Sequence, residues 1–459
     1  MSTRLEASTQ ALTTRIRAGD LDPILEILAE RRTLDLSDLC PADQADLIAR
    51  RTATLLPPVG RLAALLDDGR QLTVKFGIDP TAADVHLGHA VPMILASRFQ
   101  RMGHRVVFIV GDLTASIGDP SGRSADRPAL SDDDVARNLA TYRAQFTPFL
   151  DFERADFRFN REWLGRITLP EFLATLARLP VSAALQRDDF RNRLDDGAGL
   201  SMAELVYSVV MALDSVEVRA DIELGGLDQL LNMQMCRRVM ENAGQTPEIV
   251  VATPVIEGTD GSGVKMSKSR GNYIGLALAA NEVVGKLMSI PDRLVPGFLA
   301  ALTELLDPEI ELLAAQHPMA VKTLLAADVT ATIHGLDAAR AARASFAAQF
   351  SRRRFADIAD LPVVDGTATT SVADVFVRVT GLVSSLNQVR RVAAGGGLRL
   401  VHEADDGEQV TTRLSETEAS MPIVELPPGA GRTYLRCGRF VVEVVRDTPR
   451  QADSGHGRG

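Results

Sequence analysis

The chain has 459 residues, 46% of them apolar, with 50 basic against 60 acidic side chains and a formal net charge of −10. That length suggests two to four domains with sizeable cores, and the charge excludes a protein whose whole surface binds nucleic acid while leaving room for a local basic face. No run approaches the ~18 apolar residues of a membrane span, the N-terminus with Arg4, Glu6, Arg15 and Arg17 has no signal-peptide core, and Cys40, Cys236 and Cys437 are too sparse for a disulfide framework or a zinc site, which fits a reducing cytoplasm.

In chain order, residues 1–70 are rich in alanine and leucine and read as a helical N-terminal extension, broken at Asp20-Leu21-Asp22-Pro23 and Pro57-Pro58. From 71 strands and helices alternate. Residues 72–78 read as a strand, Asp79-Pro80-Thr81 ends it, and the apolar-periodic run 90–102 reads as a helix with Pro92 near its start. Residues 105–110 read as a buried strand and 111–122 as a Gly/Ser/Thr/Asp-rich loop. A mostly helical stretch, 123–200, precedes a helix at 200–214 and strands at 221–224 and 248–255. The glycine- and serine-rich stretch 257–271 reads as a mobile loop. The alternation predicts an α/β fold, with a Rossmann-type parallel sheet and right-handed crossovers over 71–275. Residues 276–356 form a helical domain and 357–370, with Pro362 and Gly366, a linker. A small α+β domain follows at 371–448, with a Gly395-Gly396-Gly397 turn and a closing strand at 440–445, and 449–459 is a disordered tail.

Two stretches carry chemistry. His86-Leu87-Gly88-His89 sits at a strand-to-helix turn, where unpaired N–H groups and the positive end of the helix dipole favour phosphate. Gly88 removes a side chain where a ligand approaches the backbone. The second stretch is Lys265-Met266-Ser267-Lys268-Ser269, on the mobile loop. It holds two of only five lysines; the other three are Lys75, Lys286 and Lys322, and arginine supplies all remaining basic charge. A lysine kept in so arginine-rich a chain offers a compact ammonium. His86, His89, Thr114 and Asp119 all follow strand ends, where ligands of parallel sheets gather. Neither a Walker A loop nor a dinucleotide glycine fingerprint is present.

Both stretches, in this order on an α/β pattern, resemble the two signatures of class I aminoacyl-tRNA synthetases. Phe76-Gly77-Ile78-Asp79-Pro80-Thr81, Ile117-Gly118-Asp119-Pro120-Ser121-Gly122-Arg123, Asn160-Arg161-Glu162-Trp163 and Gly225-Gly226-Leu227-Asp228-Gln229 narrow the resemblance to the bacterial tyrosyl-tRNA synthetase family. The resemblance implies activation of tyrosine by MgATP, transfer to tRNA(Tyr) and a homodimer, with no tightly bound cofactor and no protein metal site. It places His86, His89 and Thr81 on the phosphates, and Lys265 and Lys268 on the leaving pyrophosphate. Gly88 and Asp228 lie at the adenosine, and Met266 and Ser267 complete the ATP side.

Tyr207, Met211 and Asp214 stand at i, i+4 and i+7 and share a helix face. By resemblance they line the tyrosine pocket: Tyr207 faces the α-amino group, Asp214 accepts the phenol hydroxyl, and Lys75, Asp119, Asn160 and Gln229 complete the walls. Met211 takes the place of a family glutamine and has no oxygen acceptor for the α-ammonium. The C-terminal region resembles an S4-like RNA-binding module, with Arg390, Arg391, Arg399, Arg436 and Arg439 as candidate contacts. Ten arginines balance ten carboxylates from Ser371 to Arg450, so RNA affinity there requires arginines gathered on one face. Two alternatives stand beside this reading: a paralogue activating a different amino acid, and a non-catalytic RNA-binding protein of the same fold.

Overall fold

The computed structural model describes residues 3–18, 21–81, 83–119, 137–138, 141–186, 188–197, 199–347, 355–357, 361–404, 409–438 and 440–445. Arg439, residues 120–123 of one quoted motif, most of the following helical reading to 140, and the tail 449–459 lie outside the described residues. The chain divides into two compact units, Met1–Ala342 and Arg343–Gly459.

The first unit is built on a six-stranded sheet in the order β1-β6-β5-β2-β3-β4. Its strands are β1 (Thr54–Leu56), β2 (Thr73–Ile78), β3 (Arg105–Val110), β4 (Asp156–Phe159), β5 (Ile222–Gly226) and β6 (Ile249–Thr253). All neighbours pair in parallel except β1, which runs antiparallel along β6 with Leu56 opposite Val250. This edge strand falls within the stretch read as helical; Pro57-Pro58 stops it after three residues. Val106 to Val110 of β3 are fully buried, as expected of a parallel strand covered on both faces. From β2 the chain proceeds outward to β3 and β4, whereas β5 and β6 lie on the other side. The crevice at the carboxyl end of β2 and β5 is therefore the topological switch point where ligands bind in such sheets.

The helices that position the site are α1 (Thr3–Ala18), α2 (Leu21–Arg31), α3 (Pro41–Ala49), α4 (Leu87–Arg101), α5 (Met202–Val218) and α6 (Leu230–Asn242). Beyond the sheet come α7 (Ala280–Ser289), α8 (Val295–Leu302), α9 (Asp307–Ala314) and α10 (Pro318–His334). Helix α4 begins three residues earlier than the periodicity indicated, because His86 itself is the N-cap. Helix α5 starts on a capping box, in which Ser201 Oγ accepts from the Glu204 N–H at 3.1 Å and the Glu204 carboxylate accepts from the Ser201 N–H at 3.0 Å. It continues to Val218, past the expected end at Asp214, and closes on Arg219 in the left-handed region.

The second unit carries a five-stranded sheet in the order β7-β11-β10-β8-β9. Its strands are β7 (Val363–Asp365), β8 (Leu398–Glu403), β9 (Gln409–Arg413), β10 (Arg432–Cys437) and β11 (Phe440–Val445), and helix α11 (Leu386–Ala394) packs on them. The stretch read as a linker thus contains β7, which pairs in parallel with β11. Val364 is its buried residue, between exposed Val363 and Asp365, so the apolar signal was one side chain long.

Candidate active site

His86 adopts extended backbone at φ −133° and caps α4: its Nδ1 accepts from the Gly88 N–H at 3.2 Å. The His89 Nδ1 in turn accepts from the His86 N–H at 3.2 Å. Both imidazoles therefore use Nδ1 as an acceptor, which leaves the proton of each neutral ring on Nε2. The rings lie with centroids 4.0 Å apart. Burial, then the neighbouring His89 and Lys268, pushes His86 down to about 2. Burial and Lys268 push His89 down to about 4. Two uncharged Nε2–H donors are thus preset on this wall. A Cβ on Gly88 would lie 2.9 Å from His86 Cε1, so any side chain there displaces the capping ring.

The first expectation concerns these protons. In histidine NMR spectra, the resonances of His86 and His89, assigned by substitution, stay at neutral-imidazole positions from pH 8 to 5.5. A ring that titrates near 6.5 contradicts the assignment. Since the unfolded chain takes up these protons below about 6.5 and the folded chain does not, the pair costs stability as pH falls below that value.

The lysine loop is tied at its base. The Met266 N–H donates to Ile256 O at 3.0 Å, and the Leu87 N–H at the histidine turn donates to Ile274 O at 3.0 Å. The Ser267 N–H donates to Asn272 Oδ1 at 2.9 Å. Lys265 Nζ lies 2.8 Å from Asp228 Oδ2, so the residue expected at the adenosine and one expected at the pyrophosphate meet each other across the crevice. His86, His89, Gly88, Thr81, Asp228, Lys265, Met266, Ser267 and Lys268 all line one cavity of about 410 Å³.

The other end of that cavity is lined by Tyr207, Met211, Asp214, Asp119 and Gln229. Tyr207 Oη donates to Asp79 Oδ2 at 2.8 Å, and Thr114 Oγ1 donates to Asp79 Oδ1 at 2.7 Å. Burial pushes Asp79 up to about 7 against these two bonds. Gly111 is required here, since a Cβ would lie 1.9 Å from Asp79 Oδ1. Asp119 accepts from Gln229 Nε2 at 2.8 Å. Asp214 accepts from Trp163 Nε1 at 2.8 Å and from Asn160 Nδ2 at 3.3 Å, and burial pushes it up to about 6. Asn160 is fully buried and acts through Asp214 and Thr114. Met211 packs against the buried cluster of Met233, Val250 and Ala252.

Lys75 also lines this cavity. Its ammonium is fully buried and donates to Glu223 Oε1 at 2.6 Å and Ser215 Oγ at 2.7 Å, and Glu223 lines the cavity with it. Lys75 and Glu223 are register partners of β2 and β5, so their side chains leave the sheet on one face. Burial, then the charge of Glu223, pushes the adjacent Glu248 carboxyl well above the usual range. Lys75 is thereby engaged in a buried ion pair.

Residues 67–351 match the family model for tRNA synthetases class I (W and Y). The chain belongs to that family. This synthetase is 38% identical over 378 residues to the tyrosine–tRNA ligase of Thermotoga maritima, covering 81% of this chain and 92% of the relative. It is 39% identical over 382 residues to that of Thiobacillus denitrificans, covering 82% and 94%. Among solved structures it shares its fold with a C-terminally truncated mitochondrial tyrosyl-tRNA synthetase of Coccidioides posadasii, at TM-score 0.55 and 21% identity, over 74% of this chain and 96% of that one.

In the second unit of the synthetase, Arg436 is the register partner of Arg399, and Arg399 is the partner of Arg413. Three guanidinium groups therefore stand in one row across β10, β8 and β9. Arg436 Nε donates to Gly438 O at 2.8 Å and Arg399 Nε to Gly396 O at 3.4 Å, beside the glycine turn. Arg390 and Arg391 are exposed on α11, which leads into that turn. Sequence reasoning missed Arg413, Asp79 and Glu223. Asp79 was legible as a carboxylate at a strand end, whereas Arg413 and Glu223 are marked only by their cross-strand partners.

Proposed function

We propose that this synthetase activates tyrosine with MgATP to tyrosyl-adenylate and passes the tyrosyl group to the 3′ end of tRNA(Tyr). The tyrosine carboxylate attacks the α-phosphorus and pyrophosphate leaves, so the site's task is to position reactants and to stabilise phosphate charge. His86 and His89 supply Nε2–H donors on one side, and Lys265 and Lys268 bring ammonium groups from the other. Asp228 is available to the ribose once Lys265 turns to phosphate. Asp79, Asp119 and Tyr207 supply the oxygen acceptors for the α-ammonium that Met211 lacks. Asp214 accepts the phenol hydroxyl, and the tRNA ribose hydroxyl then attacks the adenylate carbonyl without a protein nucleophile.

The observation that carries this reading is the single cavity joining preset imidazole donors and the lysine loop to the Asp214 pocket. ATP–pyrophosphate exchange over a panel of amino acids tests it, with tyrosine expected to give the fastest turnover. Faster turnover with another amino acid overturns tyrosine as substrate, and no exchange with any overturns adenylate chemistry.

The arginine row supports tRNA binding. Like charges directly opposite one another destabilise a sheet unless an anion lies across them. Arg399→Gln, Arg413→Gln and Arg436→Gln together are expected to reduce the salt dependence of tRNA affinity by about two to three units of log–log slope, by the rule of about one counterion per phosphate contact. An unchanged slope in filter binding overturns this surface. Leu169, Leu173, Val181 and Met202 are exposed apolar side chains, from 54% to 74%, and support a homodimer. No described helix is long and apolar enough to cross a membrane, and the three cysteines are unpaired, which supports a cytoplasmic setting.

A further inference from the structure

The histidine helix has two ends. Its N-terminus presents His86 and His89, and its C-terminus carries Arg98 and Arg101, both directed into a network of charged groups shielded from solvent. Glu304, in the turn between α8 and α9, is the hub. Its Oε2 accepts from Arg98 Nη2 at 3.0 Å and its Oε1 from Arg101 Nη2 at 2.9 Å. Its backbone carbonyl accepts from Arg31 Nη1 at 2.9 Å. Arg31, at the end of α2, also grips Glu309 of α9 with both terminal nitrogens at 2.7 Å. Arg31 is 2% exposed and Glu309 0%. Arg101 Nη1 closes the circuit by donating to Arg31 O at 2.7 Å. The neighbouring Arg32 reaches the buried Asp328 of α10 at 2.7 Å.

The lysine loop is suspended between the same bodies. On one side, residue 275 bridges to His86 and the Leu276 N–H donates to Val85 O at 2.9 Å. On the other side Arg293, between α7 and α8, donates to Glu257 Oε2 at 2.9 Å and to Gly261 O at 2.7 Å, while α7 packs on α10 and α10 on α2. A rotation of α7–α10 about the 274–276 bridge would pull on the Glu257–Gly261 end of the loop through Arg293 and so shift Lys265 and Lys268 relative to the imidazoles. The Arg31–Glu304–Glu309 junction opposes that rotation, because a bidentate guanidinium–carboxylate pair fixes angle as well as distance.

We propose that the N-terminal helices act as a brace that sets the angle between the histidine helix and the helical segment following the lysine loop, with Arg31 and Glu304 as positioning residues for adenylate formation. The inference rests on the ATP-dependent reading above. It gives the N-terminal extension a role in catalysis without any contact to substrate. The tyrosine pocket is built on β2, β5 and α5, whereas Arg31 and Glu304 bond to α1, α4, α9 and each other, so the two halves of the reaction separate in the test.

Arg31→Met and Glu304→Gln are made in the full-length chain. Tyrosine binding is measured by calorimetry, ATP–pyrophosphate exchange by initial rates, and the mobility of the lysine loop by amide hydrogen exchange. Expected is a fall of about tenfold or more in exchange kcat, a tyrosine Kd within twofold of the parent, and faster amide exchange over 257–271. An exchange rate within twofold of the parent in both folded variants overturns the brace. So does a parallel loss of tyrosine binding, which marks general destabilisation. If Arg31→Met does not fold, Arg31→Lys, which keeps the charge and loses the fork, decides with Glu304→Gln by the same criteria. A parent chain with no exchange activity refutes the adenylate reading instead, and amide exchange over 257–271 then still reports on the brace.

Discussion

Asp214→Ala is expected to lower the preference for tyrosine over phenylalanine by about 10³-fold or more in exchange kcat/KM, while the KM for ATP changes little. A site built to bond a hydroxyl rejects the analogue lacking it by about 10⁴–10⁵, because its buried polar group is otherwise left unpaired. Here that group is a carboxylate only 4% exposed, already oriented by Trp163 Nε1 and Asn160 Nδ2. Removing it leaves those two donors without their acceptor, at about 1–3 kcal/mol each. A drop in melting temperature therefore accompanies the loss of discrimination. Competing exchange with tyrosine and phenylalanine reads the first effect and calorimetric melting the second. A folded Asp214→Ala chain that still rejects phenylalanine would place the hydroxyl elsewhere.

Lys268→Ala is expected to slow adenylate formation by about 10²–10³-fold, the usual consequence of deleting one donor aimed at developing charge. Lys268 is close enough to both imidazoles that its charge weighs against their protonation, so it lies on the histidine side of the crevice. Tyrosine affinity, on the proposed assignment of the Asp214 pocket, should stay within twofold. Single-turnover rates with saturating tyrosine and ATP measure the first, equilibrium dialysis of tyrosine the second. Equal losses in both would mean that the loop shapes the whole pocket and does not act on the phosphates.

Local signals made much of this molecule legible in its sequence. The run from Val106 to Val110 read as a buried strand, and the histidines after Asp79-Pro80-Thr81 read as a strand-to-helix turn. The i, i+4, i+7 spacing placed Tyr207, Met211 and Asp214 on one face of α5, and the lysine-poor composition drew attention to the loop at 265–269. Each of these rests on neighbours within a few residues along the chain.

What the tertiary structure alone decided depends on groups far apart in sequence. Lys75 pairs with Glu223, 148 residues away, because β2 and β5 pair in that register. Arg399, Arg413 and Arg436 cancel in a charge count, yet form one row once three strands align. Arg31 meets Glu309 across 278 residues of chain. Periodicity in a sequence fixes which face of an element is apolar, but the partner of a buried charge is fixed only when strands and helices choose their neighbours.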